Sequence, residues 1–226
     1  MPAARTTPPR RPGRPVRPSQ GGPDQRDRLL DAAVAEFSRH GVAGTPIRAI
    51  ATAAGVTPAL VHYYFPDREQ LLDAVVDERL RPLMESVFAD AATTTDPAAL
   101  LIGLAQRLIR AAAATPWLPG IWLREIADVD GQLHARVLSR IALHPTHAVL
   151  TPLAAARSRG ELNPDLQPPL LMASLIGLAM LPMATRHMWQ RMPGAEEIDT
   201  EALVRHVSAL LAHGLARPPA GPAGSG

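Results

Sequence analysis

From residue 24 onward the apolar positions recur at helical spacing, and between about Asp73 and Arg217 no alternating, strand-like pattern interrupts them. In RDRLLDAAVAEFSRHG, Leu29, Leu30, Ala33 and Phe37 fall on one stripe, with Asp24 or Asp27 near the start and Gly41 just past the end, so a first amphipathic helix is expected. PIRAIATA follows as a much shorter helix. Thr45 is placed to cap it and Pro46 to open it, where a missing N–H costs nothing, and Ile47, Ile50, Ala51 and Ala54 share its apolar face. Gly55 can adopt the positive φ that turns the chain sharply into the next helix. Thr57 and Pro58 repeat the cap-and-proline start, and in this second short helix Val61 and Phe65 lie on one side with Val56 behind them. Ala59, Leu60 and Tyr63 point the other way. After Pro66, Asp67 and Gln70 form a capping-box-like pair for a fourth helix carrying Leu71, Leu72, Val75 and Val76.

The rest of the chain is long enough for a larger helical unit. Asp96 and Pro97 begin a helix through Leu100, Leu101, Leu104 and Leu108 that ends near Pro116, and a short segment with Trp117, Trp122 and Leu123 follows. Arg136 to Arg157 reads as helix, interrupted or bent at Pro145 and Pro152, and RGELNPDLQPP is a connector. Leu170 to Trp189 is apolar nearly all round, with Gly177 and Ala179 allowing another helix to approach closely. Glu201 to Leu215 carries Leu203, Val207, Leu210 and Leu211 on one face. These two helices suit a dimer interface. The Leu170 run is too short for a bilayer span and contains Pro182, so a buried helix of a soluble dimer is expected, with no membrane partner.

Two short helices joined at a glycine turn make a helix-turn-helix, the arrangement that places a second helix against DNA. An outward face of alanine, leucine and tyrosine is costly to leave in water unless a partner covers it, and major-groove edges with thymine methyls suit it. Helical spacing cannot bury Tyr63, Tyr64 and Phe65 together, so at least one of them is expected at the surface. Charge gives less help. The chain carries 23 basic residues, all arginine, against 21 acidic, for a formal net charge of +2. Arg5, Arg10, Arg11, Arg14 and Arg17 lie in residues 1–23, which hold no acid, so the remainder has 18 basic against 21 acidic residues. Affinity for phosphates must therefore rest on a few placed arginines and helix N-termini. TTPPRRPGRPVRPSQGGP, rich in Pro, Gly and Arg, is expected to be disordered when free, and serves either as a minor-groove arm or as a solvated leader.

TPIRAIATAAGVTPALVHYYFPDREQLL resembles the DNA-binding head of the TetR family of bacterial one-component regulators, over about residues 26–75. Helix lengths, the alanine-glycine-valine turn, the aromatic ending and the charged residue that opens the next helix all fall in register. The resemblance implies an all-α homodimer with a three-helix helix-turn-helix head and a larger helical ligand-binding and dimerisation domain. It implies that Thr45 and Arg48 meet phosphates or base edges, and that Thr57, Pro58, Ala59, Leu60 and Tyr63 face the groove. His62 and Tyr64 would bond backbone phosphates. Arg68 stands where the family usually has lysine, and its guanidinium suits a phosphate equally. His62 replaces a common tyrosine, and Leu60 fills a place often held by a small or polar residue.

The implied division is residues 1–23 as tail, 24–72 as DNA-binding head, 73–217 as effector-binding and dimerisation domain, and 218–226 as a second tail. The implied function is that of a repressor released from a palindromic operator by a small apolar molecule, with Met84, Phe88, Trp117, Trp122, Met172 and Met180 as candidates to line its cavity. Alternatives are an activator or a regulator controlled by a protein partner and, in another class, an apolar ligand carrier or an enzyme with a head that does not bind DNA. The fourth helix is the expected link between effector and head. Catalysis finds little support: there is no glycine-rich phosphate loop and no nucleophile elbow. His144 and His147 lack a convergent carboxylate, so neither a metal nor another cofactor is expected. Glu125, Asp128 and Asp130 read as a solvated turn. The absence of cysteine excludes disulfides and thiolate chemistry, and a cytoplasmic location is expected, since the N-terminus lacks the apolar core of a secretory signal.

Overall fold

A computed structural model describes residues 23–215, with backbone alone for residues 23 and 142–145, and every regular element among the described residues is helical. The expectations for residues 1–22 and 216–226 lie outside the described residues, as does the side chain of His144.

Four helices form the head: α1 (Pro23–His40), α2 (Ile47–Ala53), α3 (Pro58–Tyr64) and α4 (Arg68–Val75). The stripe on α1 is buried as spaced, Leu29, Leu30, Ala33 and Phe37 having no exposure, and Val34 joins them. Ile50, Ala51, Val61, Phe65, Leu71, Leu72 and Val75 close the same core. Gly41 follows α1 at φ +74, and its N–H returns to Phe37 O at 2.9 Å, a left-handed cap that a side chain would strain. Gly55 does the same after α2 at φ +69: its N–H bonds Thr52 O at 3.1 Å and Val56 N–H bonds Ala51 O at 2.9 Å. That paired closure is the Schellman arrangement, and it sets the angle from α2 to α3.

From the head, α4 runs on through a π turn (Val76–Leu80) into α5 (Arg81–Phe88). Pro82 accounts for the widened turn: it has no N–H to return to Glu78, and its ring would press on that carbonyl. The rod is tied to α1 by Arg26 with Glu78, and by Arg79 with Asp27 at 2.9 Å and Asp31 at 2.8 Å.

In the body, α6 (Pro97–Ala114) begins as the sequence predicts, with Asp96 accepting Ala99 N–H at 2.9 Å. It packs between α10 (Pro168–Ala184) and α12 (Thr200–Leu215). By length and composition alone α6 is apolar enough to cross a membrane, but the residues that make it so, Leu100, Leu101, Leu104, Ala105, Leu108, Ile109 and Ala112, are buried in this core. The other elements are α7 (Leu118–Ile121), continuing into a π turn (Trp122–Ile126), and α8 (His134–Val137), continuing into a third π turn (Leu138–Ala142) and then α9 (Leu143–Ser158). A short α11 (Arg186–Trp189) follows α10 after Thr185, so the apolar run Leu170–Trp189 is two helices. Pro152 and Pro182 lie inside helices that continue past them.

Two expectations for the last helices change. The stripe of α12 is not held for a partner: Leu203, Val204, Val207, Leu211 and Leu215 are buried, and its packing partner is α6 of the same chain, while Leu210 faces outward. Ala179 is buried, yet a Cβ at Gly177 would meet nothing within 4 Å, so among the described residues no other helix approaches that glycine.

Candidate nucleic-acid interface

Helix α3 is anchored from one side only. Val61 and Phe65, four residues apart, are buried against α1, α2 and α4, which forces Ala59, His62 and Tyr63 to the surface and leaves Leu60 half-buried. Tyr63 is 76% exposed. Tyr64 is half-buried, its ring edge-on to that of Tyr63 at 5.2 Å between centroids, so the three consecutive aromatics divide into one outward, one intermediate and one inward. Thr57 occupies the N-cap position with extended backbone, and its side chain makes no capping hydrogen bond; Pro58 follows at the first helical position. Arg48 is exposed on α2. Thr57, Pro58, Ala59, His62, Tyr63 and Arg48 are thus exposed on α2, α3 and the turn before α3, with Leu60 half-buried among them.

Thr45 and Arg68 are elsewhere. Thr45 is only 1% exposed, and its hydroxyl donates to Gly41 O at 2.7 Å, closing the loop before α2. It neither caps α2, whose N-cap is Pro46 without a side-chain bond, nor offers its side chain to DNA. Arg68 turns inward over the Phe37 ring, its guanidinium 5.9 Å from the centroid, and donates to Thr45 O at 2.9 Å and to Val42 O. Arginine's planar fork suits two carbonyls as well as a phosphate, and unpaired inward carbonyls are the costlier omission. Arg68 therefore staples the α1–α2 loop. Asp67 caps α4 as predicted, accepting Gln70 N–H at 2.8 Å and the Gln70 side-chain amide at 2.9 Å, and these bonds hold its carboxyl below the usual range.

In the body, apolar side chains from the first π turn to α10 enclose a cavity of about 200 Å³. Met84, Phe88, Trp122, Met172 and Met180 all line it; Trp117 is half-buried outside it. Leu80, Leu104, Leu108, Leu118, Ile126, Val137, Leu138, Ile141, Leu175 and Ile176 complete most of the wall, and Thr146 is the one polar residue among the described lining. Each of the three π turns contributes: Leu80 from the first, Trp122 and Ile126 from the second, Leu138 and Ile141 from the third. Such widened turns recur at functional sites because they trade regular hydrogen bonding for side-chain placement.

The model of a family described as bacterial regulatory proteins of the tetR family matches residues 29–75, the span of α1–α4 that builds the exposed face of α3. Residues 29–75 form a TetR-family head. The transcriptional regulator BetI of Rhizobium meliloti is 33% identical over 116 residues, covering 51% of this chain and 57% of that protein, so the chain spans just over half the length of that curated relative. The transcriptional repressor KstR2 of Rhodococcus jostii is 26% identical over 208 residues, which cover 90% of this chain and 97% of the repressor. Among solved structures, the transcriptional regulator FadR from Bacillus subtilis in complex with stearoyl-CoA shares the fold at a TM-score of 0.62 and 20% identity, covering 84% of this chain and 98% of that one.

Sequence reasoning passed over one residue that the structure brings forward. Glu125 was expected in a solvated turn with Asp128 and Asp130; those two are exposed, but Glu125 is buried. The signal was present in the spacing, because Leu118, Ile121 and Glu125 follow the period that carries a buried stripe.

Proposed function

We propose that this chain is a homodimeric repressor of the TetR family that reads operator DNA with the outward face of α3 and leaves it when a small apolar molecule occupies the body cavity. The observation that carries the reading is the 76% exposure of Tyr63 on a helix anchored through Val61 and Phe65. An exposed aromatic on a seven-residue helix gains most when it enters a groove, where base edges and thymine methyls cover it. Residues 24–72 act as the head and 73–217 as the body. Thr57, Pro58, Ala59, Leu60 and Tyr63 face bases, while Arg48, His62 and Tyr64 meet the backbone. Location in the cytoplasm, with the DNA, follows from this role.

Dimerisation is supported by the outward side of α10, where Leu170 is 64% and Leu181 54% exposed on either side of the open Gly177. Large apolar side chains left open along one helix are unfavourable on a lone chain. Two copies joined there would place two α3 helices on successive major grooves, about 34–36 Å apart, which requires a palindromic operator.

The ligand is neutral over the part that enters the cavity. A cation would find no carboxylate on the described walls, and burying an unpaired charge costs far more than apolar contact returns. An acyl chain or ring system with one acceptor for the Thr146 hydroxyl fits, and the stearoyl-CoA complex of FadR has an apolar chain of that chemistry. Fluorescence anisotropy with DNA flanking the chain's own gene tests the proposal. Affinity about a thousandfold or more above that for unrelated DNA at the same salt is expected, and equal affinity for both would overturn it.

A further inference from the structure

Among the described residues Glu125 is the one charged side chain that is buried, at 6% exposure. Both carboxylate oxygens are engaged: Oε1 accepts Val42 N–H at 2.7 Å and Oε2 accepts Gln132 N–H at 3.1 Å. Val42 belongs to the loop between α1 and α2. Glu125 belongs to the π turn whose Trp122 and Ile126 face the cavity. One carboxylate thus joins the cavity wall to the segment that aims the helix-turn-helix.

The surroundings are cut to admit this contact. A Cβ on Gly120 would collide with Ser38 near the end of α1, so this glycine lets the body close on the head, and one on Gly131 would collide with the Glu125 backbone, so that glycine lets its own loop fold back onto the π turn that carries Glu125. A Cβ on Gly41 would sit 3.1 Å from Glu125 Oε1, besides the strain of φ +74. The Val42 peptide is gripped from both sides, its N–H by Glu125 and its C=O by Arg68 at the start of α4. Hydrogen bonds of this kind weaken steeply with misalignment, and a buried carboxylate that loses a donor is costly, so the contact is either made or broken.

We propose that Glu125 is a positioning residue that couples cavity occupancy to the pose of α2 and α3. A ligand that displaces Trp122 and Ile126 draws the carboxylate from Val42 and frees the loop. This rests on the reading above, that the cavity takes a ligand and α3 takes DNA.

The test uses the full chain with N-phenyl-1-naphthylamine, a neutral apolar fluorophore, and combines its emission with amide hydrogen exchange and with DNA affinity. On binding, emission rises and exchange at the Val42 amide accelerates about tenfold, as losing one hydrogen bond implies, while amides of α6 are unchanged. Wild-type affinity for the DNA flanking its gene falls at least about fivefold with the probe bound, the lower end of ordinary coupling. Glu125→Gln keeps the side chain's shape but presents a donor where one N–H needs an acceptor. In that variant Val42 exchanges fast without the probe, probe affinity stays within about twofold of wild type, and DNA affinity no longer responds to the probe. A probe that binds while Val42 stays protected, or a Gln variant coupled as strongly as wild type, overturns the latch alone. No rise in emission removes the cavity reading and the latch with it.

Discussion

The head and the body are built from the same element yet packed to different ends. In the head, Leu29, Leu30, Phe37, Ile50, Leu71 and Leu72 have no exposure and close a single core around three short connections, each fixed by a glycine, a cap or the Arg68 staple. In the body, leucine, methionine and tryptophan side chains of comparable bulk stop short of one another and leave about 200 Å³. The walls there include three widened helical turns, each lacking the regular ladder that stiffens α1 or α6. A closed head presents a surface of fixed shape; an open, irregular body has room to change shape when filled.

Truncation sharpens that contrast most. Phe37→Ala should lower stability by about 3–5 kcal/mol in urea unfolding, because its site cannot collapse, whereas Met180→Ala at the cavity edge should sit near about 2 kcal/mol. Enlargement is the converse test. Val34→Phe in the head should cost about 1–3 kcal/mol, while Leu175→Phe, with cavity space to grow into, should cost under about 1 kcal/mol; the reverse order would break the comparison. Arg68→Met, which frees the carbonyls of Val42 and Thr45, should cost about 1–2 kcal/mol.

The smallest effect concerns the ladder between α4 and the α8 segment, where Arg136 bonds Asp73 at 2.9 Å and also pairs with Glu69, and Arg140 reaches Asp73 at 2.8 Å and Asp77 at 2.9 Å. Partial burial works against the Asp73 charge, but bonds from Arg136 and Arg140 outweigh it and hold the carboxyl below its usual 3.8. A depressed folded value means that the ladder stabilises above the ordinary aspartate range and that this contribution fades as pH falls below it. Asp73→Asn should flatten that acid part of the stability profile, measured by urea midpoints at successive pH.

Much of the head was legible in the sequence because its signals are local. The stripe on α1, the glycine after α2, the Pro58 start and the Asp67–Gln70 cap each depend on residues within a few positions, and each stands where local pattern puts it, although Thr57 holds the N-cap position without a side-chain bond. What spacing could not supply were partners distant in sequence. Arg68 looks like a surface polar residue until the carbonyls of Thr45 and Val42, 23 and 26 residues away, are brought beside it, while Thr45 serves the nearby Gly41 carbonyl in a loop that no periodicity marks. Glu125 finds Val42 across 83 residues. Helix α12 shows an apolar stripe whether its partner is α6 or a second subunit, and periodicity does not distinguish the two. For the cavity, five of the six side chains singled out line it, since bulky apolar residues in the middle helices have few other places to go; Trp117, five residues before Trp122, lies outside it.

The exposed face of α3 is tested most directly with Tyr63→Ala. Its stability in urea unfolding should match wild type to within about 1 kcal/mol, because the exposed ring's edge-on contact with Tyr64 lies at the surface and not in the core. In fluorescence anisotropy with DNA flanking the chain's own gene, its affinity should fall at least about tenfold. A variant that folds as wild type and binds that DNA equally well would contradict the assignment of this face to DNA.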